Sequence, residues 1–380
     1  MKIAGAWLDR PATQAMCAAV QAGGYRIFFV GGCVRNALLG EAVGDLDLAT
    51  DALPDEVVRL AEAAGFKAIP TGIDHGTVTV LAAGLAHEIT TFRRDVRTDG
   101  RHAVVAYSSD IAQDAARRDF TMNALYADPL GEVVDPLGGL PDLLARRLRF
   151  VGDPAQRIRE DYLRILRFFR FSATYGDPAL GIDTDALAAC AELADGIDTL
   201  SRERIGAEMR KLLSARDPAP ALASMAVSGV LRHVLTGADP RYIAPLVHLE
   251  GDVPRRWQRR LVVLGGQNWG DALRLSRAEQ ALLARLRDKV GSNLSPAALG
   301  WKLGAEVGAD AVLSRAALLE SPLPAQWHQD VARGAASRFP VTAADLMEQF
   351  QGPALGAKLA QLESLWLASD LRLNRRELLG

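Results

Sequence analysis

Residues 31–50, GGCVRNALLGEAVGDLDLAT, constrain this chain more than any other stretch. Asp45 and Asp47 stand two apart in DLDLAT (45–50), where charged and apolar residues alternate with the period of a β-strand. That period puts both side chains on one face. Two carboxylates side by side repel unless a cation sits between them or one holds a proton. Mg²⁺ is a hard ion usually held by one or two carboxylates together with substrate phosphates, so it suits such a pair. A two-metal in-line phosphoryl displacement needs this arrangement. Asp45 and Asp47 are therefore the candidate metal ligands and catalytic residues. The plainer alternative is a DxD on a solvated strand face, a common pattern.

The residues just upstream supply what a bare DxD lacks. YRIFFVGG (25–32) is an apolar run ending in paired glycines, as a buried strand would, and CVRNALLG (33–40) reads as a short helix stopped by Gly40. Gly31 and Gly32 let backbone N–H groups approach a triphosphate. The helix N-terminus points at the same phosphates, and Arg35 in its first turn adds a charge-assisted clamp.

Up to about residue 150 the chain reads as mixed α/β. A helix is expected from Pro54 to Ala64, and TVTVLAA (77–83) with HEITTFR (87–93) reads as a hairpin turning at Gly84. NALYAD (123–128) with EVVDP (132–136) reads as another, with Pro129 and Gly131 in the turn. Beyond residue 150 only helical periodicity remains, over 154–175, 183–195, 199–214, 217–230, 241–250 and on to the end. The fold class is α+β, a mixed-sheet N-terminal part followed by an all-helical remainder.

The net charge of −2 over 380 residues excludes a globally basic polyanion binder, so any nucleic-acid site must be a local patch. Cys17, Cys33 and Cys190 form no CxxC and no disulfide framework, which fits a reducing compartment. MKIAGAWLDRP lacks a signal peptide's apolar region, and no run reaches the roughly 18 apolar residues of a membrane span. A cytoplasmic protein with no membrane partner is expected. None of the six histidines (75, 87, 102, 233, 248, 328) is followed by Asp or spaced as a zinc pair, and each reads as structural.

GGCVRNALLG…GDLDLAT resembles the first motif of the tRNA CCA-adding and bacterial poly(A) polymerase family. RRDFTMNALYADPLGEVVDPLGG (117–139) resembles its second motif, and RLRFVGDPAQRIREDYLRILRFFRF (147–171) its base-selecting region. Three motifs in family order cover about residues 25–175. The resemblance implies a DNA polymerase β-like nucleotidyltransferase head (1–140), a helical neck with the base-selecting helix (141–216), a helical body (217–320) and a tRNA-binding helical tail (321–380). It implies Mg²⁺-dependent, template-independent addition of C, C and A to tRNA from CTP and ATP. It also places Arg118, Asp119 and Asn123 near the ribose and phosphates of the incoming nucleotide; the plain reading is a solvated turn with a capping Asp. One departure stands out. The family's GGxVRD ends here in Asn36, which keeps hydrogen bonding but removes a charge.

Arg157, Asp161, Arg164 and Arg167 are spaced by four, three and three, so a continuous helix over 154–175 would carry them as one stripe on an otherwise buried cylinder. An i,i+3 Asp161–Arg164 ion pair is the bland reading. The chemical alternative is base selection. Cytosine and adenine both present an amine beside a ring-nitrogen acceptor. A carboxylate only accepts and a guanidinium only donates, so Asp161 takes the amine and Arg164 the ring nitrogen, while uracil and guanine mismatch both. The resemblance assigns this role to EDxxR, here Glu160, Asp161 and Arg164. Arg167 joins them as a nucleotide-binding candidate.

RRDVRTDGRHA (93–103) reads as a polar loop; in the family a loop here helps the switch from C to A addition, with Arg97, Asp99 and Arg101 as candidates. Glu88 is either a third carboxylate or an ordinary strand residue. RRWQRR (255–260) and RLNRR (372–376) are either tRNA phosphate contacts or solvated helix faces. Trp301, Trp327 and Trp366 read as core. Two other functions fit the motifs: a poly(A) polymerase or a CC-only or A-only enzyme, and a non-catalytic RNA-binding module on the same fold. The intact aspartate pair weighs against the last.

Overall fold

The computed structural model describes residues 1–72, 76–99 and 102–380, the stretches 95–99 and 102–105 as backbone. The chain forms two compact units, Met1–Leu200 with Ser228–Val230, and Ser201–Val227 with Leu231–Gly380.

The first unit is built on a mixed sheet. Its elements run α1 (Pro11–Ala22), β1 (Ile27–Val30), α2 (Gly32–Leu39), β2 (Asp47–Thr50), α3 (Pro54–Ala63), β3 (Lys67–Gly72), β4 (Thr77–Ala82), β5 (Leu85–Thr91), β6 (Arg93–Asp99), β7 (His102–Tyr107), α4 (Ile111–Ala116), β8 (Tyr126–Ala127), β9 (Val133–Val134), α5 (Leu140–Leu144), α6 (Pro154–Glu160), α7 (Leu163–Tyr175) and α8 (Thr184–Glu192). Seven strands pair in the order β3-β4-β5-β2-β1-β8-β9. The β2–β5 pairing is parallel and its neighbours are antiparallel. Apolar β1 lies between β2 and β8, with Phe29 opposite Leu48 on one side and Ala127 on the other. A strand covered on both faces needs no alternation, which is why IFFV is apolar throughout.

Both expected hairpins are present. β4 and β5 turn through Ala83 and Gly84, each with positive φ, the geometry a two-residue turn between twisted strands requires. Three features depart from the sequence reading. β3 was not expected; it contains Pro70 and shifts register between Ile69 and Gly72, and as the last strand of the sheet it tolerates the missing N–H. Residues 93–99 and 102–107, where a loop was expected over 93–103, form an antiparallel pair, β6 with β7, as a separate two-stranded sheet. The expected 154–175 helix is two helices. Asp161 interrupts it with extended backbone (φ −157, ψ 106), and its side chain accepts from Leu163 N at 3.1 Å, capping the entry to α7.

Phe120 of the second motif packs on Phe150 (4.9 Å between centroids) and on Phe171 of α7 (5.1 Å), while Phe150 stacks on Phe168 (5.5 Å). These rings bury α7 against the segment that follows α4. They hold α7 where Arg164 and Arg167 reach the second motif, at Arg117 O and Asp119.

The second unit is built from helices and turns. The three tryptophans behave as expected: Trp327 and Trp366 are buried, and Trp301 meets Trp366 edge to face at 5.2 Å. The RRWQRR run departs from its expected surface role. Arg259 and Arg260 are fully buried. Arg259 pairs with Glu250 (2.7 Å) and Asp310 (3.0 Å), Arg260 with Glu250 (2.7 Å), and Arg256 with Asp310 (2.7 Å) and Glu306. Arg260 also donates to the carbonyls of Leu213 and Ala215. A buried charge persists only when paired, and these are. Arg256, Arg259 and Arg260 are thus internal braces rather than phosphate contacts. RLNRR stays exposed, with Arg375 paired to Asp345 at 2.6 Å.

Cys17, Cys33 and Cys190 are free and buried. Burial pushes the Cys17 thiol up to about 12 and that of Cys33 to about 11, so neither is a nucleophile at neutral pH. Among the described residues no helix is long and apolar enough to cross a membrane.

Candidate active site

The first, second and third sequence motifs all lie in the first unit. The glycine turn between β1 and α2 is set by Gly31, whose φ of 71 and ψ of −116 favour a residue without Cβ. Its N–H donates to Leu125 O at 3.0 Å, so Gly31 turns the chain rather than offering that donor to a phosphate. A Cβ on Gly31 would lie 3.6 Å from Arg118 Nη1, which places the second-motif arginine over the turn.

Asp45 and Asp47 are both exposed, with Leu46 and Leu48 buried between and after them, as alternation requires. The strand is shorter than expected: it starts at Asp47, and Asp45 sits in the bend before it. Asp47 lies directly beside Glu88 in the parallel β2–β5 register. Partial desolvation by the surrounding sheet, then the Glu88 charge, push the Asp47 carboxyl above its ordinary value although its side chain still reaches solvent; Asp45 adds to this and Arg118 opposes it. Like charges thus crowd one face in the middle of the sheet, and a cation would relieve them.

Arg35 is buried and points inward. Its Nη1 donates to Asn123 Oδ1 (2.5 Å), and its Nη2 to Asn36 Oδ1 (2.8 Å) and Tyr175 OH (2.7 Å), with the guanidinium 4.0 Å from the Tyr175 ring centroid. The expected triphosphate clamp is, in this structure, a brace between α2, the second motif and α7. Asn36 explains its own presence: Oδ1 accepts from Arg35 while Nδ2 donates to Ala42 O at 2.8 Å, a bond no carboxylate could make.

Asp119 is buried at the centre of the same network. Its Oδ1 accepts from Asn123 Nδ2 and Phe120 N, each at 2.9 Å, and its Oδ2 from Arg167 Nε at 2.7 Å. Burial alone would raise this carboxyl, but Arg167 and the hydrogen bonds hold it below the ordinary range. Arg167, Asp119, Asn123 and Arg35 therefore form one continuous chain of charge-assisted bonds.

Arg164 Nη1 donates to Glu160 Oε2 at 2.6 Å and to Arg157 O at 3.0 Å, and its Nη2 to Arg117 O at 3.2 Å. Arg157 also pairs with Glu160. The single-helix stripe is overturned, because Asp161 stands in the break while Arg164 and Arg167 share α7. Arg101 and His75 lie outside the described residues, as do the side chains of Arg97 and Asp99.

The sequence reading missed Asp114, Tyr126 and Tyr175, which hold Arg118 and Arg35 in place. Asp114 stands three and four residues before Arg117 and Arg118, a helical ion-pair spacing that could have flagged it.

Comparison with known proteins agrees with this layout. The family described as "Poly A polymerase head domain" matches residues 27–149, and "Probable RNA and SrmB- binding site of polymerase A" matches 180–241. A CCA-adding enzyme of Geobacillus kaustophilus is 36% identical over 308 residues, 80% of this chain and 69% of that protein. A CCA-adding enzyme of Geobacillus stearothermophilus is 32% identical over 373 residues, 91% of this chain and 89% of that protein. The crystal structure of the Bacillus stearothermophilus CCA-adding enzyme in complex with CTP superposes with a TM-score of 0.75 at 28% identity, covering 94% of this chain and 93% of that one. By identity and coverage together, this chain belongs to the family of CCA-adding enzymes.

Proposed function

We propose that this protein adds C, C and A to the 3′ end of tRNA, using CTP and ATP and releasing pyrophosphate. The observation that carries the reading is the Asp47 carboxylate, crowded by Glu88 and Asp45 and faced by Arg118 across the glycine turn. Among the described residues no three or more His, Cys, Asp or Glu side chains gather into a metal cage. Exposed carboxylates of this kind suit Mg²⁺ that completes its shell with substrate phosphates. Asp45 and Asp47 would hold it. When bound, the ion supplies charge neutralisation at the triphosphate.

The chain's own groups do the rest. The tRNA 3′-hydroxyl attacks the α-phosphorus in line, the bond from that phosphorus to the α,β-bridging oxygen breaks, pyrophosphate leaves with the bond's electrons, and the hydroxyl proton passes to solvent as the phosphodiester forms. Arg118 meets the phosphates at the Gly31–Gly32 turn. Asp119 and Asn123 face the ribose, whose 2′-hydroxyl both donates and accepts. Asp161 and Arg164 read the pairing edge, with Arg164 held ready by Glu160. Arg167 and Arg35 brace these groups from behind.

The head (1–140), neck (141–216), body (217–320) and tail (321–380) are the functional divisions of this reading, with the tail taking tRNA and the enzyme acting in the cytoplasm. The segment 93–103, with Arg97, Asp99 and Arg101 as its candidates, is the one for the switch from C to A addition.

The test is incorporation into tRNA lacking its 3′ CCA, with CTP alone, ATP alone and both. Two C residues with CTP alone, and a terminal A only when both are present, is the expected result. A long A tail from ATP alone identifies a poly(A) polymerase instead, and no incorporation at all rejects the enzyme reading.

A further inference from the structure

We infer that Asp114 is a positioning residue for nucleotide binding, acting through Arg118 and Arg117; this rests on the nucleotidyl-transfer reading above. Asp114 lies in the first turn of the short helix α4 and is 1% exposed. Its Oδ2 accepts from Tyr126 OH at 2.7 Å and from Arg118 Nη2 at 2.9 Å, and its Oδ1 from Arg117 Nε at 3.0 Å. Tyr126 OH in turn accepts from Arg118 Nε at 3.1 Å. Carboxylate, phenol and guanidinium therefore close a ring in which each contact is a donor meeting an acceptor.

The ring fixes the Arg118 guanidinium on two of its nitrogens. Nη1 is left toward Gly31, 3.6 Å from where a Cβ on that residue would stand. The same charge reaches the Asp47 carboxylate. A planar guanidinium pinned along one edge presents the other with little entropy left to lose, which is how such a side chain gains grip on a phosphate oxygen. Without the ring, Arg118 would swing on a flexible stem beside three carboxylates and could collapse onto them.

Asp114 also anchors Arg117, whose carbonyl accepts from Arg164 Nη2. One buried carboxylate thus steadies both the phosphate end and the base end of the proposed nucleotide site. Tyr126 is suited to its part by position: β8 pairs with β1, the strand that leads into the glycine turn, so its hydroxyl is fixed relative to Gly31 by the sheet.

A merely structural role predicts something different. A carboxylate that only neutralises two arginines affects stability, and its loss would weaken every kinetic parameter alike. The test is steady-state incorporation on tRNA lacking CCA with the intact protein, Asp114→Asn, Tyr126→Phe, Arg118→Ala and the pairwise combinations with Arg118→Ala. Inorganic pyrophosphate serves as a competing probe for the phosphate site. Asp114→Asn is expected to raise KM for both CTP and ATP about tenfold and to weaken pyrophosphate inhibition in parallel, with KM for tRNA changed by at most about twofold. Tyr126→Phe should move the same constants in the same direction by less. In the Arg118→Ala background Tyr126→Phe should add at most about twofold, because the group it positions is gone, and Asp114→Asn should add clearly less than in the intact protein, keeping only its share through Arg117.

If the intact protein incorporates nothing, the enzyme reading itself falls. If it is active and both variants keep ordinary nucleotide KM values, or if their effects persist in full without Arg118, Asp114 is only a structural carboxylate. Should Asp114→Asn fail to fold by circular dichroism, Tyr126→Phe, alone and in the Arg118→Ala background, decides, since Tyr126→Phe itself leaves every charge in place.

Discussion

Asp47 and Glu88 stand side by side on adjacent parallel strands, 41 positions apart in sequence and directly paired in register. Strand neighbours at one register position project to the same face of a sheet, so the Asp45–Asp47 pair has a third carboxylate within its electrostatic reach. Asp47→Asn is expected to abolish incorporation of both nucleotides, since a lost metal ligand removes several kcal/mol of transition-state stabilisation. Glu88→Gln should be milder, with activity down about tenfold at limiting Mg²⁺ and partly restored at high Mg²⁺. Titrating Mg²⁺ against incorporation rate distinguishes them. An unaltered Mg²⁺ dependence in Glu88→Gln assigns that residue to the sheet surface.

Base choice should reside in Asp161 and Arg164. The double substitution to Ala is expected to cut the preference for CTP and ATP over UTP and GTP by roughly one to two decades, from about 1–3 kcal/mol of contact energy. Glu160→Gln should show a fraction of the same effect, because it loosens the arginine without removing it. Single-nucleotide extension with each triphosphate in turn gives the ratios. Full discrimination in the double variant leaves these residues as packing.

The two glycines of the turn should respond differently to alanine. Gly31 has φ of 71, and a side chain there costs on the order of 1–3 kcal/mol in backbone strain. At Gly32 an added Cβ finds ordinary contact, 3.8 Å from Arg35 Nη2. Urea unfolding midpoints of the two variants should therefore separate, with Gly31→Ala the less stable. Equal midpoints would mean that the turn relaxes.

Acid should weaken the Asp114 ring in a defined window. Burial alone would raise this carboxyl, but Arg118 and Arg117 override it and hold it at about 2, against an ordinary 3.8. A depressed carboxyl stabilises the fold fully above its unfolded value and loses that contribution as pH falls through the folded one. The difference corresponds to about 2 kcal/mol at neutral pH. The stability gap between the intact protein and Asp114→Asn should be widest near pH 7 and shrink below pH 4. A gap independent of pH would show that the carboxylate charge is not the stabilising element.

The sequence made some of this legible because some of it is local. Period-two alternation marked β4 and β5, and the glycine turn with its DxD marked the site. The resemblance then ordered the motifs. What escaped was set by distance along the chain or by a single residue's backbone. The Asp47–Glu88 pairing depends on a parallel crossover that no local pattern encodes. The break at Asp161 hid inside an unbroken helical periodicity, because the apolar residues of α7 continue it. β3 was masked by Pro70, and β6 by charges too dense to show alternation. Asp114 and Tyr126 carry meaning only through the arginine they share.

In the second unit, Arg256, Arg259 and Arg260 face Glu250, Glu306 and Asp310, three guanidiniums against three carboxylates. The cluster is internally neutral and carries no condensed counterions that a polyanion could exchange. The slope of log affinity for tRNA against log salt counts phosphates met by accessible cations. That slope should be deaf to Arg259 and Arg260, however basic the stretch looks on paper. Arg372 and Arg376, both exposed, are the basic residues whose replacement by Ala should flatten it if the tail meets tRNA.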